Sequence, residues 1–172
     1  MTSERIDEIV SAHKRSFRSG ATLDVRRRKA NLLALRTALK KWEKPLADAL
    51  WADLHKSYEE AYLTEISIVL SEIDNHIRNL HRWARPQRKR TPLKMFPSRS
   101  EIISEPLGNA LIIAPWNYPV QLLLNPLAGA LSAGCTAVLK PSPYVPHVSL
   151  TLGDMISETF PESLVAVVQG NR

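Results

Sequence analysis

Apolar positions in the first 84 residues recur at helical spacing. Ile6, Ile9, Val10, His13 and Phe17 fall on one stripe, which predicts an amphipathic helix of about four turns closed by Gly20. A second stripe begins near Leu23 and carries Leu32, Leu35, Leu39, Trp42, Leu46, Leu50 and Leu54. Pro45 interrupts it. Proline lacks an N–H and its ring presses on the carbonyl four residues back, so two pieces are expected, over 23–43 and 46–54. Ser57 with Glu60 three residues later reads as a capping box. It opens a helix with Tyr62, Ile66, Val69, Ile73, Leu80 and Trp83 on one face, running from 57 to 83 and roughly 40 Å long. Tryptophans 42, 51 and 83 all fall on these stripes and are expected in the core.

The pattern then changes. Between 85 and 105, Pro86, Pro92 and Pro97 separate short extended runs, and residues 100–105 read as a strand of the edge or connector kind. From Gly108 onward, short continuous apolar runs alternate with helical ones. Residues 110–114, 135–139 and 164–168 predict strands buried on both faces. Between them, 120–133 predicts a helix strained near Pro126 and ended by Gly134. Val148, Leu152, Met155 and Ile156 mark another helix. The fold class is therefore α/β: N-terminal helices, then a β-α-β-α-β half of a doubly wound, Rossmann-like parallel sheet that is incomplete. Three stretches follow: a helical segment 1–84, an extended connector 85–105, and the first half of a nucleotide-binding unit, 106–172.

Charge sharpens that division. Residues 1–100 hold 21 Lys and Arg against 12 Asp and Glu, while 101–172 hold 2 against 5. The chain is 172 residues long, 44% hydrophobic and 23% charged, ordinary for a folded domain, so collagen-like and disulfide-rich scaffolds are excluded. The lone cysteine, Cys135, suits a reducing compartment. There is no run of 18 apolar residues and no apolar leader in the first ten, so a soluble, cytoplasmic protein with no integral membrane segment is expected. The five histidines are dispersed and show no ligand spacing, so no metal is expected. The basic runs at 26–29 and 85–90 raise a nucleic-acid reading, but neither belongs to a binding signature. A solvated helix face and a charged connector explain them more simply.

In a doubly wound sheet, ligands sit beyond the carboxyl ends of the strands. Here that position belongs to Trp116 and Asn117 after the first parallel strand and to Lys140, Pro141 and Ser142 after the second. No G-x-G-x-x-G or Walker motif is present, so these loops alone indicate only a possible nucleotide site.

Four words are more specific: Glu-Pro-Leu-Gly (105–108), Ile-Ala-Pro-Trp-Asn-Tyr-Pro (113–119), Ala-Gly-Cys-Thr-Ala-Val-Leu-Lys-Pro-Ser (133–142) and Val-Val-Gln-Gly (167–170). With Ala-Asp-Leu-His-Lys-Ser (52–57) and Glu-Ala-Tyr-Leu-Thr-Glu-Ile (60–66), the chain resembles the aldehyde dehydrogenases, most closely their class 3 branch. The resemblance runs over essentially the whole chain and implies the N-terminal third of such an enzyme. It implies oxidation of aldehydes to carboxylic acids with NAD or NADP, through a thiohemiacetal on a cysteine. Asn117 matches the amide that stabilises the oxyanion. Ile113, Ala114, Pro115 and Trp116 match the wall beside the cofactor, and Lys140 matches a lysine on the adenosine ribose. Ser142, in the same word, is grouped with Lys140 as cofactor-binding.

The departures from the family matter as much. Cys135 follows Gly134 at a strand start and does not match the family's nucleophile. That cysteine, the glutamate base and the glycine-rich turn over the pyrophosphate all belong to later sequence. Position 143, acidic in class 3 relatives, is proline here. The chain alone is therefore expected to be inactive, a truncated product or fragment, and prone to self-association through an uncovered sheet. Two other classes stand beside this reading. One is a non-enzymatic nucleotide-binding or interaction module derived from the same fold; the other is a basic nucleic-acid binder.

Overall fold

The computed structural model describes residues 2–170. Three helices come first. α1 (Ser3–Arg18) is capped by Thr2, whose side chain accepts the Arg5 N–H. α2 (Val25–Lys41) is capped in the same way by Asp24, and α3 (Glu43–Leu54) follows directly. The break between α2 and α3 falls at Trp42 (φ −94°, ψ 7°), three residues before Pro45. Pro45 sits in the first turn of α3, where its missing N–H has no intrahelical partner to lose. Its ring excludes the carbonyl of Lys41, so the helix parts there rather than at the proline itself.

Ser57 caps as expected, accepting the Glu60 N–H at 3.2 Å. The helix it opens has three parts: α4 (Tyr58–Ala61), one wide π-turn over Tyr62–Ile66, and α5 (Ser67–Trp83). The π-turn has no signature in the apolar period. Two tryptophans also depart from expectation. Trp51 and Trp83 are exposed, each set against a histidine ring (His55 and His76), while Trp42 packs partly buried on the core.

The connector is a small ribbon. β1 (Gln87–Lys89) pairs antiparallel with β2 (Ser100–Ile102), and Arg88 lies opposite Glu101 with 3.7 Å between their charged atoms. The predicted strand thus stops at Ile102, and its partner comes from the basic run.

Three parallel strands follow in the spatial order β3 (Asn109–Ile113), β4 (Thr136–Lys140), β5 (Val165–Val167). They are joined by α6 (Pro119–Ala133) and α7 (Pro146–Thr159). Helix α6 runs unbroken through Pro126, which leaves only the Leu122 carbonyl without its usual donor. β4 is buried on both faces. β3 is not: Ile112 and Ala114 are buried, but Leu111 and Ile113 on the other face are 66% and 68% exposed. Ile9 of α1 covers that other face only over Val138, Ala166 and Val168. The sequence of β3 is that of a central strand. In the doubly wound order 3-2-1-4-5-6 the first strand is flanked on both sides, whereas among the described residues no strand pairs with the outer edge of β3.

One core spans the helical and α/β halves. Leu32, Leu35, Leu39, Leu46, Leu50, Ile66 and Ile73 interleave with Leu123, Leu124, Leu127, Leu152 and Met155, all fully buried.

Candidate functional site

Ile113 of β3 lies in register with Lys140 of β4, so both strands deliver their following loops to the same edge of the sheet. Ala114 extends the ladder, donating its N–H to the Lys140 carbonyl at 3.1 Å. The chain then turns away through Pro115, Trp116 and Asn117, all exposed, before Pro119 starts α6. Trp116 is 54% exposed, and Ile113, three residues before it, is exposed as well. Among the described residues, no protein group hydrogen-bonds the Asn117 side-chain amide. Its two N–H donors are therefore open to a ligand.

On the neighbouring loop the Lys140 ammonium donates to the Pro141 carbonyl at 3.0 Å. Ser142 is buried, and its hydroxyl oxygen accepts the Tyr144 N–H at 3.3 Å. That contact fixes the turn and draws the hydroxyl into its own loop. The structure thus brings Ile113, Ala114, Trp116, Asn117 and Lys140 to one edge, with Pro115 shaping the turn and Ser142 beneath it. Cys135 is buried just before β4, at the opposite end of the strand, about 16 Å along the chain from Lys140 at the usual rise per residue.

The backbone of the Asn117 loop is held from behind by residues to which sequence reasoning assigned no role. Glu65, in the π-turn, is completely buried. Its Oε2 accepts the N–H groups of Val120 and Gln121 at 2.8 and 3.2 Å, and its Oε1 accepts from Lys56 Nζ at 2.7 Å. Lys56 also donates to the Asn117 carbonyl at 2.9 Å, and its ammonium lies 4.1 Å from the centre of the Tyr118 ring. Tyr118 offers α6 no side-chain cap, so Glu65 supplies one from 55 residues away. Asp53 does the same for α7, accepting the Val148 N–H at 2.9 Å. A charge set among apolar stripe positions, as Glu65 is between Ala61 and Val69, was the readable signal.

These caps have an electrostatic consequence. The N-terminus of the first crossover helix is where a Rossmann unit commonly receives a pyrophosphate. In this chain the Glu65 carboxylate already takes two of the α6 N-terminal amides, which are therefore not open to a second anion. The charged runs are also partly engaged. Arg28 is buried with its Nε–H donated to the Thr22 carbonyl, and Arg88 faces Glu101. Among the described residues, no cluster of three His, Cys, Asp or Glu could hold a metal, and no helix is long and apolar enough to cross a membrane.

Helices packed behind a three-stranded parallel sheet, with a polar loop presented at its carboxyl edge, form a partial Rossmann-like α/β unit. The aldehyde dehydrogenase family profile matches residues 1–172, and the chain belongs to that family. It is similar to 4,4'-diaponeurosporen-aldehyde dehydrogenase of Staphylococcus aureus, with 42% identity over 91% of this chain and 34% of that protein. It is also similar to the dimeric NADP-preferring aldehyde dehydrogenase of Canis lupus familiaris, with 38% identity over 96% of this chain and 37% of that protein. Among solved structures, the substrate-bound state of Staphylococcus aureus AldH superposes with a TM-score of 0.94 at 40% identity, covering 96% of this chain and 36% of that one. The chain spans about a third of the length of these relatives.

Proposed function

We propose that this chain is the cofactor-side third of an NAD(P)-dependent aldehyde dehydrogenase and that Asn117 is its oxyanion donor. In this reading residues 106–172 are the first half of the nucleotide-binding unit, 1–84 the helical segment packed behind it, and 85–105 the connecting ribbon. The observation that carries the proposal is an amide with open donors, exposed at the carboxyl end of β3 on a loop whose backbone is held from below. A neutral N–H₂ there stabilises charge developing on an aldehyde oxygen without altering the charge of the site.

The residues present fit a dinucleotide of this kind. Ile113 and Trp116 offer an exposed apolar wall for a flat ring system, with Ala114 and Pro115 setting its angle. Lys140, one strand away, reaches ribose hydroxyls if its side chain leaves the Pro141 carbonyl. The α6 N-terminal amides are already taken by Glu65, so the pyrophosphate is held by other parts of the enzyme. When bound, the nicotinamide supplies the hydride acceptor. The nucleophilic thiol and the base come from the other two thirds of the enzyme, so this chain alone does not turn over aldehydes.

The same proposal includes a cytoplasmic, reducing location, self-association and no nucleic-acid binding. The exposed Leu111 and Ile113 beside the free β3 edge support self-association. Burial of Arg28 takes one residue of the first basic run out of any nucleic-acid surface.

The test is Asn117→Ala in a complete enzyme carrying this chain. Loss of one oxyanion donor lowers kcat by about 10²–10³-fold and leaves cofactor KM nearly unchanged. An unchanged kcat, with hydride transfer limiting the rate, would refute the assignment of Asn117 as oxyanion donor.

A further inference from the structure

We propose that Lys56 and Glu65 are positioning residues: a buried ion pair that fixes the peptide on which Asn117 is presented. The proposal rests on the reading of Asn117 as a donor to the reacting oxygen.

The contacts converge on five consecutive residues. Lys56 holds the Asn117 carbonyl and lies against the Tyr118 ring, while Glu65 holds the Val120 and Gln121 N–H groups. Segment 117–121 is thus tied at four points, two by the cation and two by the anion, and the 2.7 Å contact between the ions makes the ties one unit. Every polar atom of the pair except the third ammonium hydrogen is used on this segment or on the partner ion. The Asn117 side chain stays free while its own peptide is held.

Stability alone is a poor reason for such an arrangement. Glu65 is 0% and the Lys56 side chain 10% exposed, and an ion pair withdrawn this far from water is often replaced by apolar residues at no loss. What apolar residues cannot do is hold a carbonyl and two amides in fixed directions. Oxyanion donors stabilise developing charge only when held near their final geometry before the reaction. The π-turn over Tyr62–Ile66 points the same way. Wide turns of this kind interrupt helices frequently at functional sites, and this one carries Glu65.

Two measurements test the proposal. On this chain, amide exchange is followed in Lys56→Met, Glu65→Gln and Lys56→Arg. The first two are expected to speed exchange at Val120 and Gln121 by about tenfold or more while Leu35 and Leu39 of α2 keep their protection, and Lys56→Arg to restore most of the loss. Unchanged exchange at 120–121, or an equal loss throughout the chain, would overturn the proposal by making the pair passive or a general support of the fold. Should Lys56→Met fail to fold, Lys56→Arg against Glu65→Gln carries the same comparison.

In a complete enzyme carrying this chain, Lys56→Met is expected to lower kcat about tenfold with both KM values within about twofold, and to add almost nothing in an Asn117→Ala background. Equal effects in the two backgrounds would overturn the positioning role. If Asn117→Ala itself leaves kcat unchanged, the donor reading fails; the exchange result stands apart from that outcome.

Discussion

Gly134 joins α6 to β4 and so sets where Lys140 emerges. Its φ is +88°, a left-handed cap that donates to the helix carbonyls. A Cβ there would lie 2.7 Å from Arg28 Nε, 2.9 Å from Arg28 Cζ and 2.9 Å from the Thr22 carbonyl oxygen. Gly134→Ala therefore has two costs. The left-handed backbone strains any side chain by about 1–2 kcal/mol. The clash then displaces the buried Arg28 guanidinium from the Thr22 carbonyl, a charged hydrogen bond of 3.1 Å worth about 1.5–3 kcal/mol. Together they predict a loss of about 3–5 kcal/mol, or roughly 2 M in urea midpoint at an ordinary slope for this size. Two variants separate the causes. Gly129→Ala, in the same helix with nothing within 4 Å of its new carbon, should stabilise by about 0.5–1 kcal/mol. Gly134→Asn relieves much of the strain but none of the clash, and should remain costly. A Gly134→Ala protein within about 1 kcal/mol of the parent would show that Arg28 and Thr22 yield freely, refuting the reasoning.

Two further predictions concern protons and cofactors. His13 is fully buried, with Nε2–H donated to the Glu162 carbonyl at 2.6 Å and Nδ1 without a partner, and burial holds its pKa below the ordinary 6.5 against the weaker opposing pull of Glu162. The unfolded chain thus binds the proton first, so this contribution to stability is complete above about pH 6.5 and is lost as pH falls below it. Unfolding free energies at pH 7.5 and 5.5 should fall less steeply for His13→Gln; identical slopes would dismiss the effect. On the proposed cofactor reading, the Pro143 side chain brings neither charge nor acceptor to the ribose, so a complete enzyme carrying this chain should show kcat/KM for NAD and NADP within about tenfold, and Pro143→Glu should shift it toward NAD. A parent favouring NAD about 100-fold, roughly 2.7 kcal/mol, would mean another acidic group reads the ribose.

The helices and parallel strands were legible because their apolar periods are local and their caps adjacent, as Ser57 and Glu60 illustrate. The break at Trp42 was misplaced because a proline disturbs the residues before it and tolerates a first turn. Trp51 and Trp83 show that a position on a stripe does not fix depth at helix ends. β3 carries the composition of a central strand, but composition cannot say which neighbours flank it. The role of Asn117 was legible only through a family word; its place beyond a parallel strand indicates by itself no more than a possible nucleotide site. Glu65 leaves one local sign, a charge among apolar stripe positions, but the groups that it and Lys56 hold lie 55 and 61 residues away, and no local pattern names them.

The borrowed caps of α6 and α7 bear on how the chain reaches its fold. Neither helix can satisfy its first amides by itself, and the carboxylates they need lie 55 and 95 residues earlier. Until those distant groups arrive, both helices should fray, since short segments without docking or caps are marginal in water. Expressed separately, residues 1–105 would carry buried-type carboxylates with nothing to cap, and 106–172 would carry helices with no anions at their starts. The two halves should therefore form in one cooperative step, late and at the slower pace that long-range contacts impose.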